Sequence, residues 1–134
     1  MKSLTGTFKL SLFILFLSGC FNSVSEYDAA SYKSLTDLRS EMDASFDTYI
    51  NSGAKGEEDL NTIKKFKTSI SKDYEYAKEM EKNDDVIAQW EILNREVDEM
   101  MQTFVKNDSL TSGYCLEKWR KLEDAFDTAI KEKR

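Results

Sequence analysis

Two cysteines, Cys20 and Cys115, are the most reactive side chains in this 134-residue chain, and no histidine stands beside them anywhere. That one absence removes Ser-His-Asp and Cys-His nucleophilic systems, HExxH zinc sites, His-ligated haem and Glu-x-x-His di-iron centres. The remaining candidates are weaker. Met100-Met101 offers thioethers, but with no His or Cys partner nearby in sequence they make a poor haem or copper site. The acidic groups Glu57-Glu58-Asp59, Asp84-Asp85 and Asp98-Glu99 lack the spaced Asp/Asn loop with a central glycine that calcium requires. The sequence therefore predicts no catalytic residue, no metal and no enzyme. The chemistry it does predict is on Cys20.

Cys20 follows a recognisable approach. Lys2 and Lys9 make the first nine residues basic, and Leu10–Leu17 (LSLFILFL) is a short apolar run ending in Ser18-Gly19. A basic start, a short apolar core and small residues at the exit form a secretory signal peptide. A run of eight residues falls far short of the ~20 that a spanning helix needs. Leu17-Ser18-Gly19-Cys20 resembles the lipobox of bacterial lipoprotein precursors. The resemblance covers only the first twenty residues, and it implies cleavage before Cys20 with a diacylglycerol on its sulfur. In a Gram-negative host it also implies an N-acyl chain on the new amine. Two or three acyl chains give stable anchoring where one does not. Phe21 stands where Asp is the familiar inner-membrane retention signal, so the resemblance favours the outer membrane. A lipidated Cys20 cannot form a disulfide, which leaves Cys115 either buried and inert or a redox or dimerising thiol.

Without residues 1–19 the chain has 115 residues, 17 basic and 25 acidic, a formal charge of 17 − 25 = −8. This balance excludes nucleic acid as a partner, because phosphates demand a basic stripe. It also leaves membrane attachment to the lipid rather than to broad electrostatic adhesion.

The elements behind these residues are helical. There is no proline, and the only glycines after the signal peptide are Gly53, Gly56 and Gly113. Residues 20–27 read as a polar tether and residues 28–134 as one domain. Four apolar stripes at helical spacing follow. The first is Leu35, Leu38, Met42, Phe46 and Tyr49, stopping at Asn51-Ser52-Gly53. The second, opened by Glu57-Glu58-Asp59 against the positive end of the helix dipole, is Leu60, Ile63, Phe66 (or Lys67), Ile70, Tyr74 and Ala77. The third is Val86, Trp90, Leu93, Val97, Met100 and Phe104, with Asn83 as its N-cap. After a loop at Asn107–Gly113 the fourth is Cys115, Trp119, Leu122, Phe126 and Ala129, ending on Lys131, Lys133 and Arg134.

The expected fold is all-α, an antiparallel up-down helical bundle. It has four helices if the chain turns tightly at about Glu81–Asp84, or three with one long arm if it does not. SFDTYI (45–50) and AFDTAI (125–130) look alike, but their flanks do not match, and shared Phe-in, Asp-Thr-out patterning accounts for both. Tyr76 and Tyr114 lie off the stripes and are the candidate contacts for a protein partner, since exposed aromatics are enriched at interfaces. Tyr27 and Tyr32 fit membrane-proximal packing. The expected role is a non-enzymatic interaction or scaffolding module held at the membrane; the alternative is a binder of a small apolar ligand or lipid between the helices.

Overall fold

The computed structural model describes the backbone from Lys2 and side chains from Glu26 to Arg134, so the signal peptide, the lipobox and Cys20 lie outside the described side chains. The chain divides into two compact units, Met1–Ser31 and Tyr32–Arg134. Helix α1 spans Lys2–Ser52, α2 Gly56–Met80, α3 Asp84–Asn107 and α4 Ser112–Lys133, with two-residue strands β1 (Ala54–Lys55) and β2 (Ser109–Leu110). In the first unit Tyr27 and Ser31 are buried.

The second unit is the expected four-helix, up-down bundle. Its core is the set of stripes read from the sequence: Met42, Phe46, Ile63, Ile70, Val86, Trp90, Leu93, Met100, Phe104 and Phe126 are all at most 2% exposed. In α2 it is Phe66, not Lys67, that turns inward. Phe46 stacks on Trp119 with ring centroids 5.0 Å apart, which ties α1 to α4 through the centre.

At least one polar tie marks each neighbouring pair around the bundle. Ser34 donates to Asp73 at 2.5 Å between α1 and α2. Ser71 donates to Asn94 at 2.7 Å, and Lys67 pairs with Asp98, between α2 and α3. Lys118 reaches Glu96 and Glu99 between α3 and α4, each at 2.5 Å. Arg39 reaches Asp127 at 2.6 Å between α1 and α4.

The chain turns between α2 and α3 for a reason of phase. From Ala77 to Val86 is nine residues, and at 3.6 residues per turn that is about 180°. A continuous helix would aim the two stripes at opposite sides, so no single core could hold both. The turn is Glu81, Lys82 and Asn83, with Glu81 and Asn83 in extended conformations. Asn83 caps α3 as its sequence implies, accepting from the Asp85 amide at 3.0 Å.

At the other end the two remaining loops meet. Gly53 takes φ +75, the left-handed conformation that ends α1, and its amide donates to the Tyr49 carbonyl at 2.7 Å. Ala54 and Lys55 then pair antiparallel with Leu110 and Ser109. Ala54 and Leu110 are buried and close this end of the core. The expected loop at Asn107–Gly113 is accordingly shorter than its composition suggests. Asn107 is still helical, Thr111 accepts from the Tyr114 amide at 3.2 Å as N-cap of α4, and Gly113 falls inside the first turn.

Candidate functional site

The sites named from the sequence scatter. Cys20, Leu17, Ser18 and Gly19 lie outside the described side chains. Tyr76 is 50% exposed on the outer side of α2. Tyr114 is only partly exposed: its hydroxyl lies 3.2 Å from Thr103 Oγ1, its ring packs on the core, and Lys118 Nζ sits 5.7 Å from the ring centroid. The two tyrosines also belong to opposite ends. Tyr114 is in the first turn of α4, beside the small sheet, whereas Tyr76 is twenty residues along α2 from that end, or about 30 Å at 1.5 Å per residue. They do not form one surface.

Cys115 is fully buried. Burial, with the nearby Asp59 charge second, pushes its thiol up to about 11, so at neutral pH it is a protonated, shielded sulfur packed among apolar side chains. Met100 is buried in the same core. Among the described residues no group of three or more His, Cys, Asp or Glu side chains is placed to hold a metal ion.

What the fold does assemble is a groove along α1 and α2. Its larger part, about 440 Å³, is lined by Glu41 of α1 and by Thr62, Lys64, Lys65, Phe66, Thr68 and Ser69 of α2. A smaller part of about 260 Å³ shares Glu41 and Ser69 and continues to Ser34, Asp37, Leu38, Lys72 and Asp73. The floor is apolar, from Phe66 and Leu38, both buried. The rims are charged and hydroxylic. This is an open cleft rather than an enclosed apolar cavity.

No protein-family model matches the chain, and no curated protein or solved structure is detectably similar to it. Function therefore has to be argued from the surface. The groove was not read from the sequence, although a signal was there: Leu60–Lys72 (LNTIKKFKTSISK) holds four lysines and no acid in an otherwise acidic chain. Lys67 of that run pairs with Asp98. Among the described residues Lys64, Lys65 and Lys72 are in no ion pair and are exposed. Of the groove's acids, Asp37 pairs with Lys33 at 2.5 Å and Asp73 accepts from Ser34 at 2.5 Å.

A second polar cluster lies between α3 and α4. Lys118 and Glu96 are buried, with Glu99 half exposed beside them. Burial pulls Lys118 down, but the bonds to Glu96 and Glu99 outweigh it and hold its pKa above the ordinary lysine value. The same bond holds Glu99 below the usual carboxylate range. With Lys118 and Glu96 covered and all three members paired, this cluster joins helices.

Proposed function

We propose that this protein is a lipid-anchored envelope lipoprotein, most naturally of the outer membrane in a Gram-negative host, acting as a non-enzymatic interaction or scaffolding module. The observation that carries the reading is Leu17-Ser18-Gly19-Cys20 at the end of a basic-then-apolar leader too short to span a bilayer. Among the described residues no helix is long and apolar enough to cross a membrane; it is the lipobox resemblance that assigns attachment to a diacylglycerol and N-acyl chain on Cys20. The support for an interaction role is that the one reactive thiol of the bundle is buried, while an open groove with unpaired charges faces outward.

Two measurements test it. Labelled palmitate should enter the wild type and not Cys20→Ser; label in both would remove the anchor. In-cell crosslinking of the full-length protein should then capture a dominant protein that Cys20→Ser loses. Capture of lipid alone would replace the scaffolding role with ligand carriage.

A further inference from the structure

We propose that the central turns of α2 form a docking strip for an acidic polypeptide segment of the protein partner, lying in the α1/α2 groove. The inference rests on the interaction reading above and assigns it a surface and a partner chemistry.

Charge is the first argument. The chain from Cys20 onward carries −8, and Leu60–Lys72 alone carries +4, so the remainder carries −8 − 4 = −12. Net positive charge is thus concentrated in this one acid-free stretch. Among the described residues the other exposed and unpaired cations, Lys55, Lys82, Lys106, Arg120, Lys131 and Arg134, lie scattered among acids. Because the rest of the molecule carries a net negative charge, an acidic segment is steered toward this strip. Lys64 and Lys65, then Thr68, then Lys72 follow each other at three- and four-residue steps, which places them along one outward side of α2. Thr62, Thr68 and Ser69 add hydroxyls beside them.

Shape is the second argument. A flat bilayer meets the rims but cannot enter a cleft whose floor is Phe66, whereas a polypeptide can lay side chains into it. Lys65 and Ser69 line the cleft, and Tyr76 and Met80 follow them along the same side of α2 by helical spacing. Tyr76 and Met80, 50% and 37% exposed, extend the surface with apolar contact area beyond the lysines. From Thr62 to Met80 is eighteen residues, about 27 Å of helix, a length suited to a helical or extended segment of one partner. Acids are present too: Glu41 on the α1 wall, Asp37, which is paired with Lys33, and Asp73 near the end of the strip. They set where basic or neutral residues of the segment would fall, and so define its register.

The test uses the full-length lipidated protein in detergent. A short fluorescein-labelled Glu-rich peptide is the probe, and vesicles of phosphatidylglycerol and phosphatidylethanolamine are run in parallel. Lys64→Glu, Lys65→Glu and Lys72→Glu combined should weaken peptide binding about tenfold or more without lowering the melting temperature. The charge-matched control Lys106→Glu, Arg120→Glu and Lys131→Glu should change it far less. A photo-crosslinker at Ser69 in cells should map to an acidic stretch of the captured protein. Equal loss in both triple variants, crosslinks to neutral or basic sequence, or binding to vesicles but not peptide would each overturn the proposal. The palmitate measurement separates the two claims: label on Cys20 without an acidic crosslink sinks the strip alone, and an acidic crosslink without label sinks the anchor alone.

Discussion

Lys133 Nζ lies 2.7 Å from Glu81 Oε1, and both side chains are at least 95% covered. This pair joins the last turn of α4 to the turn between α2 and α3. Glu81 also accepts from the backbone amides of Lys82 and Asn83 at 3.1 and 3.4 Å, and Asn83 reaches Glu132 at 3.4 Å. One carboxylate thus holds the hairpin and the C-terminus together. Lys133→Met should cost about 1–3 kcal/mol in urea unfolding. That is less than the ~3–5 kcal/mol of a broken deep pair, because a terminal turn can swing a stranded charge to water. An unchanged midpoint would show that the pair contributes nothing.

The glycines of the α1–α2 connection separate two costs. Gly53 and Gly56 both have positive φ, +75 and +83. A Cβ at Gly53 would stand 2.7 Å from the Leu110 carbonyl oxygen, whereas at Gly56 nothing lies within 4 Å. Gly56→Ala should lose about 1 kcal/mol, the backbone term alone. Gly53→Ala should lose roughly 1–3 kcal/mol more, because the β1–β2 pairing must shift. The reverse order in chemical denaturation would contradict the close approach.

The Lys118 cluster predicts a pH dependence with a defined sign. Glu99 has its folded pKa held below 4.5, so its contribution is present above pH 4.5 and is lost as pH falls through the folded value. Lys118 has its folded pKa above 10.5, so its contribution is present below pH 10.5 and is lost as pH rises through that higher value. In Lys118→Met, Glu99 loses the hydrogen bond that holds its pKa down. The stability gap between wild type and variant should therefore hold steady from pH 7 to about 5 and narrow as pH falls below 4.5. A gap that stays constant would show that the cluster is not coupled to titration.

Cys115, buried with its thiol raised to about 11, should not react with a thiol reagent in the folded protein at pH 8. It should react fully in urea, with a native-state rate that follows global unfolding. Rapid labelling of the folded protein would restore a redox or dimerising role for this thiol.

Much of the bundle was legible along the chain. The stripes through Phe46, Ile70, Trp90, Val97 and Phe126 identified their own buried positions, because side chains three and four apart share a face whatever they pack against. Asn83 as a cap and Glu57-Glu58-Asp59 in the first turn of α2 were readable for the same reason: caps and dipole partners act within one turn. The paired placement of Phe46 and Phe126 in the core, with Asp47 and Asp127 outside, likewise follows from period alone.

Other features were not legible. Glu81, Glu96 and Lys118 look like surface residues by type, and their side chains are covered only because a partner of opposite charge arrives from another helix. Ala54 and Leu110 read as loop residues until two loops from different parts of the chain pair and bury them. Tyr114 seemed exposed from its position off the stripe, but α3 supplies Thr103 at its hydroxyl. The groove depends on where Glu41 and Leu38 of α1 come to lie against Lys65 and Ser69 of α2.

The sequence by itself determined the helical stripes, their inward faces, the break of phase near Glu81–Asp84, where a tight turn and one long arm both stayed open, and the expectation of a lipid on Cys20. Those depend on period, capping and a contiguous leader, all of which act between near neighbours in the chain. Tertiary structure decided which polar side chains are covered, where the loops close the core, and which lysines are left unpaired along an open cleft. Each of those is set by a contact between helices far apart in sequence, and periodicity carries no information about which residues will meet there.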